Sequence, residues 1–265
     1  MGIDRSKRTT FEQEADLYDE IRSGYPHELI EDILRLSGIP SEGRILEIGC
    51  GSGNATVSFA RLGYRILGIE LGERLAALAA ENCRSYPRVR ILHSAFEDWE
   101  IEECAFDLAV AADSFHWIPP EIGYPKVARA LKATGSAAFF WRVPVDPDTD
   151  WSREIAAIYT DSFPRFVNPD KRFTGEWLGG IVRRNFENSQ CFGEVTIKQY
   201  FWTEVQATAQ TIKGLRTFSM HHGIDEEERE RLYTRIAEVL EKYGGTVARP
   251  VSVMLFYSKV KLDPT

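Results

Sequence analysis

The chain lacks a basic surplus, paired cysteines and any long apolar run, and each absence excludes something. Its 32 lysines and arginines are outnumbered by 40 aspartates and glutamates, giving a formal net charge of −8. Binding a nucleic-acid backbone requires a positive field, so the balance argues against nucleic acid as the main partner. The pair Arg183-Arg184 and the N-terminal Arg5, Lys7 and Arg8 are too thin a patch to reverse this and read as solvated surface. The four cysteines, Cys50, Cys83, Cys104 and Cys191, contain no C-x-x-C pair. That spacing suggests neither a zinc site nor a redox pair, and fits reduced thiols in a cytoplasmic protein. No apolar run is long enough to cross a bilayer, and Met1 to Glu14 lacks the apolar core of a signal peptide, so no membrane partner is expected. Internal repeats and low-complexity segments are also missing. What remains is an ordinary globular composition, 43% hydrophobic and 27% charged over 265 residues, which fits one elaborated α/β domain or one domain plus a small lobe.

Strands and helices alternate along the first half. Helical spacing is expected ahead of the first strand (Phe11, Ala15, Tyr18 and Ile21, then Leu29, Ile33 and Leu36), broken at Tyr25-Pro26. Strands are expected at 44–48, 65–69, 89–93, 106–111 and 136–141. Between them lie helices near 54–62, around Leu75 to Ala79, and near 123–131, the last with Pro125 in its first turn. Helices are then expected at 151–163, 176–185, 205–218 and 225–243, with strands at 194–203 and 251–260. Asp225 is the expected cap of the last helix, and Leu232, Ile236 and Leu240 form its apolar stripe. The pattern implies an α/β fold: a Rossmann-like, seven-stranded, mostly parallel sheet with the last strand antiparallel and helices on both faces. The expected organisation is an N-terminal helical segment (1–40), a ligand-binding core (41–145), an inserted helical lid over the strand ends (146–193) and a C-terminal part completing the sheet (194–265).

The most informative stretch runs from Ile45 to Thr56. An apolar strand ends in Glu47-Ile48-Gly49-Cys50-Gly51-Ser52-Gly53, and a helix follows. Glycines there permit positive φ and the approach of a ligand, and the turn's N–H groups and the helix start are expected to face it. Glu70 ends the next apolar run, at about the distance past Gly53 where a nucleoside-binding fold sets a carboxylate on the ribose hydroxyls. The pattern is E-x-G-x-G-x-G, not the G-x-G-x-x-G of dinucleotide sites. A carboxylate beside the loop would repel a phosphate and suits a cationic ligand such as an ammonium or sulfonium. Cys50, inside the loop, reads as a small residue near the ligand in preference to a nucleophile.

The two carboxylates and the glycine spacing resemble the first two motifs of the class I S-adenosylmethionine-dependent methyltransferases. Two further segments are similar to a small-molecule branch of that family, the trans-aconitate type: Phe11 to Pro26, and the His116-Trp117 pair after the fourth strand. Ser23 stands where that branch has a proline. The resemblance implies S-adenosylmethionine as cofactor and a small-molecule methyl acceptor, with the N-terminal helix capping the cofactor. It assigns Glu47 and the loop residues Gly49, Cys50, Gly51 and Gly53 to the methionine end, Glu70 to the ribose, and Leu71 to the adenine face. The N–H of Ala95 or Phe96 would meet the adenine ring, and the Ala112 carbonyl the cofactor's amino group. Arg22 would pair with the cofactor's carboxylate and Tyr18 would close the site. His116 would position the acceptor or take its proton. By position, Arg216, Ser219 or His221 could face the acceptor.

Two other readings stay open: an NAD-type oxidoreductase, disfavoured by Glu47 and the glycine spacing, and a cofactor-binding protein without transfer. Adjacent His221 and His222 suggest no metal site, because neighbouring residues point apart and no third ligand is spaced to join them. Aromatic Phe163, Phe166, Phe173 and Trp177 read first as the lid's own core. The chain is expected to be a monomer or homodimer.

Overall fold

The computed structural model describes residues 24–145, 147–164, 174–218 and 221–261. Its sheet contains seven strands in the order β3-β2-β1-β4-β5-β7-β6. They are β1 (Arg44–Ile48), β2 (Arg65–Glu70), β3 (Val89–His93), β4 (Phe106–Ala112), β5 (Leu131–Pro144), β6 (Thr196–Ala207) and β7 (Thr246–Lys259). The first five pair in parallel, with Leu46 opposite both Leu67 and Ala109 at the centre. β7 is antiparallel to β5: Val260 N–H donates to the Gly135 carbonyl near one end, and Ser252 Oγ to the Val143 carbonyl near the other. The helices are α1 (His27–Ser37), α2 (Asn54–Ala60), α3 (Glu73–Asn82), α4 (Pro120–Ala130), α5 (Asp150–Ser162), α6 (Gly175–Ser189), α7 (Thr208–Arg216) and α8 (Glu226–Lys242). Among the described residues, no helix is long and apolar enough to cross a membrane.

Local sequence explains most boundaries. Gly38 adopts φ +60°, and its N–H caps the Leu34 carbonyl to end α1. Asp225 accepts from the N–H groups of Glu227 and Glu228 at the start of α8, and three glutamates in the first turn favour the positive end of the helix dipole. Three expectations need correction. α4 starts at Pro120, not near Gly123, so Pro125 lies inside the helix; Pro120 holds the N1 position, where its missing N–H costs nothing. β5 is longer than expected at both ends and takes in Gly135, with a register irregularity against β4 between Phe106 and Leu108. Residues 205–207 continue β6, so α7 starts at Thr208.

The chain divides into two compact units. The first contains residues up to 142 with 175–200 and 253–265. The second contains 143–174 and 201–252. The division cuts the 146–193 segment at residue 174, so α5 and α6 fall in different units. In the first unit, Phe139 stacks on Phe115 at 3.9 Å and on Phe186 of α6 at 5.5 Å, and Tyr124 meets both Phe139 and Phe186 edge-on. In the second, Ile158, Phe163, Leu232, Tyr233, Ile236 and Leu240 form the core, including the expected α8 stripe. Trp177, expected in a helical core, is 51% exposed. Phe166 and Phe173 lie outside the described residues.

A polar clip ties α1 to β6 within the first unit. Asp32 accepts from Lys198 Nζ at 2.6 Å and Tyr200 Oη at 2.7 Å, and also from Arg35. Burial pulls the Asp32 carboxyl up, but the three donors outweigh it and hold it well below the usual carboxylate range. Its contribution to stability is therefore present at neutral pH and is lost as pH falls below about 4. Asp32→Asn should cost about 1–3 kcal/mol at pH 7. Denaturant melts of the two proteins should converge at acid pH, where the wild-type carboxyl also protonates.

Candidate functional site

The glycine loop sits where β1 gives way to α2. Gly49 has φ +66°, Gly51 +57° and Gly53 +92°. At Gly49 space also demands glycine, because a Cβ there would lie 2.6 Å from that of Ser114. Ser114 in turn donates its hydroxyl to the Ile48 carbonyl, locking the end of β4 to the end of β1.

Four of the loop's own donors, the N–H groups of Gly49, Cys50, Gly51 and Gly53, are spent internally and do not face a ligand as expected. The N–H groups of Gly49 and Cys50 both donate to the Ile69 carbonyl, at 2.8 and 3.2 Å, and Gly53 N–H donates to the Cys50 carbonyl at 2.9 Å. Gly51 N–H donates to Glu70 Oε2 at 2.8 Å, while Glu70 Oε1 accepts from Gly72 N–H at 2.8 Å. Glu70 thus ties the loop after β1 to the start of α3. With those four N–H groups engaged, the loop is a poorer phosphate cradle than one that aims them at the ligand. The Cys50 side chain turns inward, its sulfur close under Gly68, so the residue offers a ligand only its backbone.

Glu47 lies on β1 beneath this loop and is completely buried. No hydrogen bond of ordinary geometry reaches its carboxylate oxygens, and the donors beside it are the hydroxyl and N–H of the buried Thr56 on α2. Burial pushes the Glu47 carboxyl up to about 8; Thr56 draws it partly back and the Glu70 charge adds to the rise. Burial likewise pushes the Cys50 thiol well above its usual range, so it is no nucleophile.

Along the same strand ends, Leu71 follows β2 partly exposed, its carbonyl held by His93 Nε2 at 3.1 Å. After β3, Ser94 N–H donates to the Glu70 carbonyl. The N–H groups of Ala95 and Phe96 are engaged by no acceptor among the described residues. The Phe96 ring is buried against Trp99, which leaves its backbone as the part facing outward.

Ala112 ends β4, followed by Asp113 in a left-handed conformation (φ +55°). Asp113 is a hub that sequence reasoning passed over. It accepts from Tyr25 Oη at 3.0 Å and from Arg142 N–H at 2.7 Å, and Arg142 lies 4.5 Å over the Tyr25 ring. The signal was slight: an Asp able to adopt positive φ before a turn, with its partners 88 and 29 residues away. Tyr18 and Arg22 lie outside the described residues.

His116 follows in a short 3₁₀ turn, Phe115–Trp117. Its Nδ1 accepts from the Trp141 indole N–H at 3.0 Å. Indole can only donate, so Nδ1 carries no proton and the proton of the neutral ring sits on Nε2. Burial lowers the His116 pKa to about 4, against a smaller opposing pull from Asp113. At neutral pH His116 is a hydrogen-bond donor, whereas the sequence left open that it removes a proton.

Of the residues expected by position to face the acceptor, the buried His221 has a structural role in the second unit, and the partly exposed Arg216 is paired there with Glu230. His221 is fully buried, with Nε2 3.0 Å from Tyr159 Oη and Nδ1 against the Leu215 carbonyl and Tyr233 Oη. Arg216 makes a two-pronged pair with Glu230, at 2.5 and 2.7 Å. Position in the sequence suggested a pocket, but satisfied buried groups are packing. Ser219 lies outside the described residues, among which no cluster of three or more metal-ligating side chains occurs.

Residues 45–135 match the methyltransferase domain family. The chain is 26% identical over 155 residues to an uncharacterised methyltransferase of Mycobacterium tuberculosis, a match covering 58% of this chain and 60% of that relative. It is 23% identical over 236 residues to an uncharacterised methyltransferase-like protein of Schizosaccharomyces pombe, covering 87% and 85%. The chain thus spans about 60% of the length of the first of these relatives. The fold is shared with the phosphoethanolamine N-methyltransferase 2 of Haemonchus contortus, solved with phosphomonomethylethanolamine and S-adenosylhomocysteine (TM-score 0.55, 16% identity, 97% of this chain and 59% of that one). It is also shared with a protein of Anaeromyxobacter dehalogenans described as a type II methyltransferase (TM-score 0.61, 22% identity, 90% and 96%).

The protonation of Glu47 has a measurable consequence. The folded carboxyl keeps its proton up to about pH 8, whereas the unfolded one releases it near 4.5. The unfolded state therefore gains on the folded one as pH rises between those values. Melting temperatures of the ligand-free protein should fall between pH 5 and pH 8 relative to those of Glu47→Gln; parallel curves would contradict a buried, protonated Glu47.

Proposed function

We propose that this chain, which belongs to the class I S-adenosylmethionine-dependent methyltransferases, transfers the methyl group of S-adenosylmethionine to a small organic acceptor by in-line displacement. The observation that carries this reading is the glycine loop, four of whose N–H groups are engaged within the protein, lying over a buried carboxyl that no hydrogen bond of ordinary geometry satisfies. The residues present fit a nucleoside-bearing cation: Glu47 and Thr56 offer orphaned polar atoms at the loop, and Ala95 and Phe96 offer free N–H groups where a base edge would lie. The same features disfavour a dinucleotide, whose pyrophosphate would need those donors.

In this reading Glu47 and the loop residues Gly49, Cys50, Gly51 and Gly53 bound the methionine end. Glu70 accepts from the ribose hydroxyls, and Leu71 covers one face of the adenine. Ala95 or Phe96 donates to the ring, and the Ala112 carbonyl receives the amino group. The family resemblance assigns Arg22 to pair with the cofactor's carboxylate and Tyr18 to close the site. When bound, S-adenosylmethionine supplies an electrophilic methyl on a sulfonium leaving group, so the protein contributes mainly alignment and exclusion of water.

His116 then positions the acceptor by donating Nε2–H, which favours an acceptor with a carbonyl, carboxylate or similar oxygen beside the reacting atom. The His116-Trp117 pair at the end of β4 supports the small-molecule branch of the family. The absence of a long apolar helix among the described residues fits a cytoplasmic enzyme.

Calorimetric titration with S-adenosylhomocysteine and, separately, NADH tests the reading. The folded chain should bind the thioether with a micromolar Kd and should not bind NADH; Glu70→Ala should weaken the thioether by at least about tenfold. Failure of the folded wild-type chain to bind the thioether would sink the proposal. Thioether binding with no turnover across a broad acceptor panel would favour a cofactor-binding protein. Once an acceptor is known, His116→Phe should raise KM more than it lowers kcat, and the wild-type pH profile should show no limb near pH 6.5, since the ring does not titrate there.

A further inference from the structure

The opposite ends of the same strands carry an unassigned feature. Arg44 opens β1, Arg65 opens β2, Arg88 immediately precedes β3 and Arg90 lies within it. Register places Arg44 beside Arg65, and Leu67 beside Arg90. The two-residue strand period then sets Arg44, Arg65 and Arg90 on one face of the sheet. With Arg88, buried Leu67 and Glu102, they line a cleft of about 440 Å³, within the range of small-molecule sites.

The local carboxylates do not balance these guanidinium groups. Glu42 takes Arg88 at 3.0 Å and Arg65 at 3.4 Å, and Glu102 takes Arg44 at 2.7 Å. Nearby Asp107 is already paired with Lys132 at 2.8 Å. Arg90 has no partner among the described residues. Four guanidinium groups against Glu42 and Glu102 leave a local positive excess in a chain whose net charge is −8. The pairs that exist are solvent-exposed, so exchanging them for a ligand costs little. Guanidinium forks match phosphate oxygens two at a time, and three or four of them converging call for more charge than one monoanion carries.

We propose that this cleft is a binding site for a small phosphate-bearing anion of the di- or triphosphate kind, held chiefly by Arg65, Arg88 and Arg90 and separate from the glycine-loop site. Arg44, paired with Glu102 and lying 4.6 Å over the Phe106 ring, forms its wall. The Leu67 side chain is its apolar floor. The site does not depend on the methyltransferase reading, because none of its residues belongs to the loop or to the strand ends that carry it.

The test is calorimetric titration of pyrophosphate, and of citrate at matched ionic strength, into the full chain and into the Arg65→Gln/Arg90→Gln double variant, with melting temperature as the fold control. Both substituted side chains are exposed, so the variant should melt with the wild type. Pyrophosphate should bind with Kd on the order of 1 mM or tighter, citrate at least about tenfold more weakly, and the double variant should lose at least about tenfold of the pyrophosphate affinity. A parallel titration with ATP distinguishes the ligand's source: affinity equal to pyrophosphate assigns the site to the phosphate chain, and tighter binding assigns it to a nucleotide. Either result supports the proposal. Equal binding of pyrophosphate and citrate, binding that survives the double substitution, displacement of pyrophosphate by S-adenosylhomocysteine, or no binding would overturn it.

Discussion

The Glu70 carboxylate, receiving the N–H of Gly51 on one oxygen and that of Gly72 on the other, is the contact on which the geometry of the candidate site depends. It joins two loops that follow neighbouring parallel strands. The strand pairing alone fixes where those loops begin; it does not fix how they lie against each other. The Ile69 carbonyl, which accepts from both Gly49 and Cys50, completes the same link from the backbone. Because Glu70 is almost fully buried, these charge-assisted bonds are short of competing water and hold the loop in one shape. The loop can then take three positive-φ glycines without becoming slack.

This arrangement sets the electrostatic character of the site. An anion-binding loop keeps its N–H groups free. Here four of them are consumed, and beside the loop lie the buried Glu47 carboxyl and Thr56 hydroxyl, neither in a hydrogen bond of ordinary geometry. Holding a carboxyl in that environment costs free energy in the ligand-free protein, and burial raises its affinity for a proton to lessen that cost. A cation arriving at the loop would favour the ionised form. The amino ends of β1 to β3 have the opposite character, with exposed arginines in excess of their carboxylate partners. The parallel strands β1 to β3 thus present acidic chemistry at their carboxyl ends and basic chemistry at their amino ends. Strands that all point the same way make such a segregation possible.

Much of the fold was legible because its signals are local. β1 and β3 fall on the residues that apolar run length and flanking turns indicated, and Gly38 and Asp225 cap the helices expected of them. The errors have local causes too. Pro125 drew the helix start toward itself, although Pro119-Pro120 supplied the stronger N-terminal signal. The end of β6 was assigned to α7 because Val205 and Ala207 suit a helix as well as a strand. The fate of His221 was not legible: whether a histidine faces a ligand or a ring of hydroxyls depends on Tyr159 and Tyr233, which lie 62 and 12 residues away.

The sequence by itself determined the alternating order of elements, the positive-φ loop and the acidic residues flanking it, because each rests on residues close together in the chain. Tertiary structure decided which donors that loop retains, since Ile69 and Glu70 reach it only through β1–β2 register. It decided the tautomer of His116, which Trp141 sets from a neighbouring strand. It also decided that four arginines scattered over residues 44–90 share one cleft, because parallel pairing aligns strand starts that the chain keeps far apart. Periodicity tells a residue which face it occupies; only register tells it which residues of other strands it meets there.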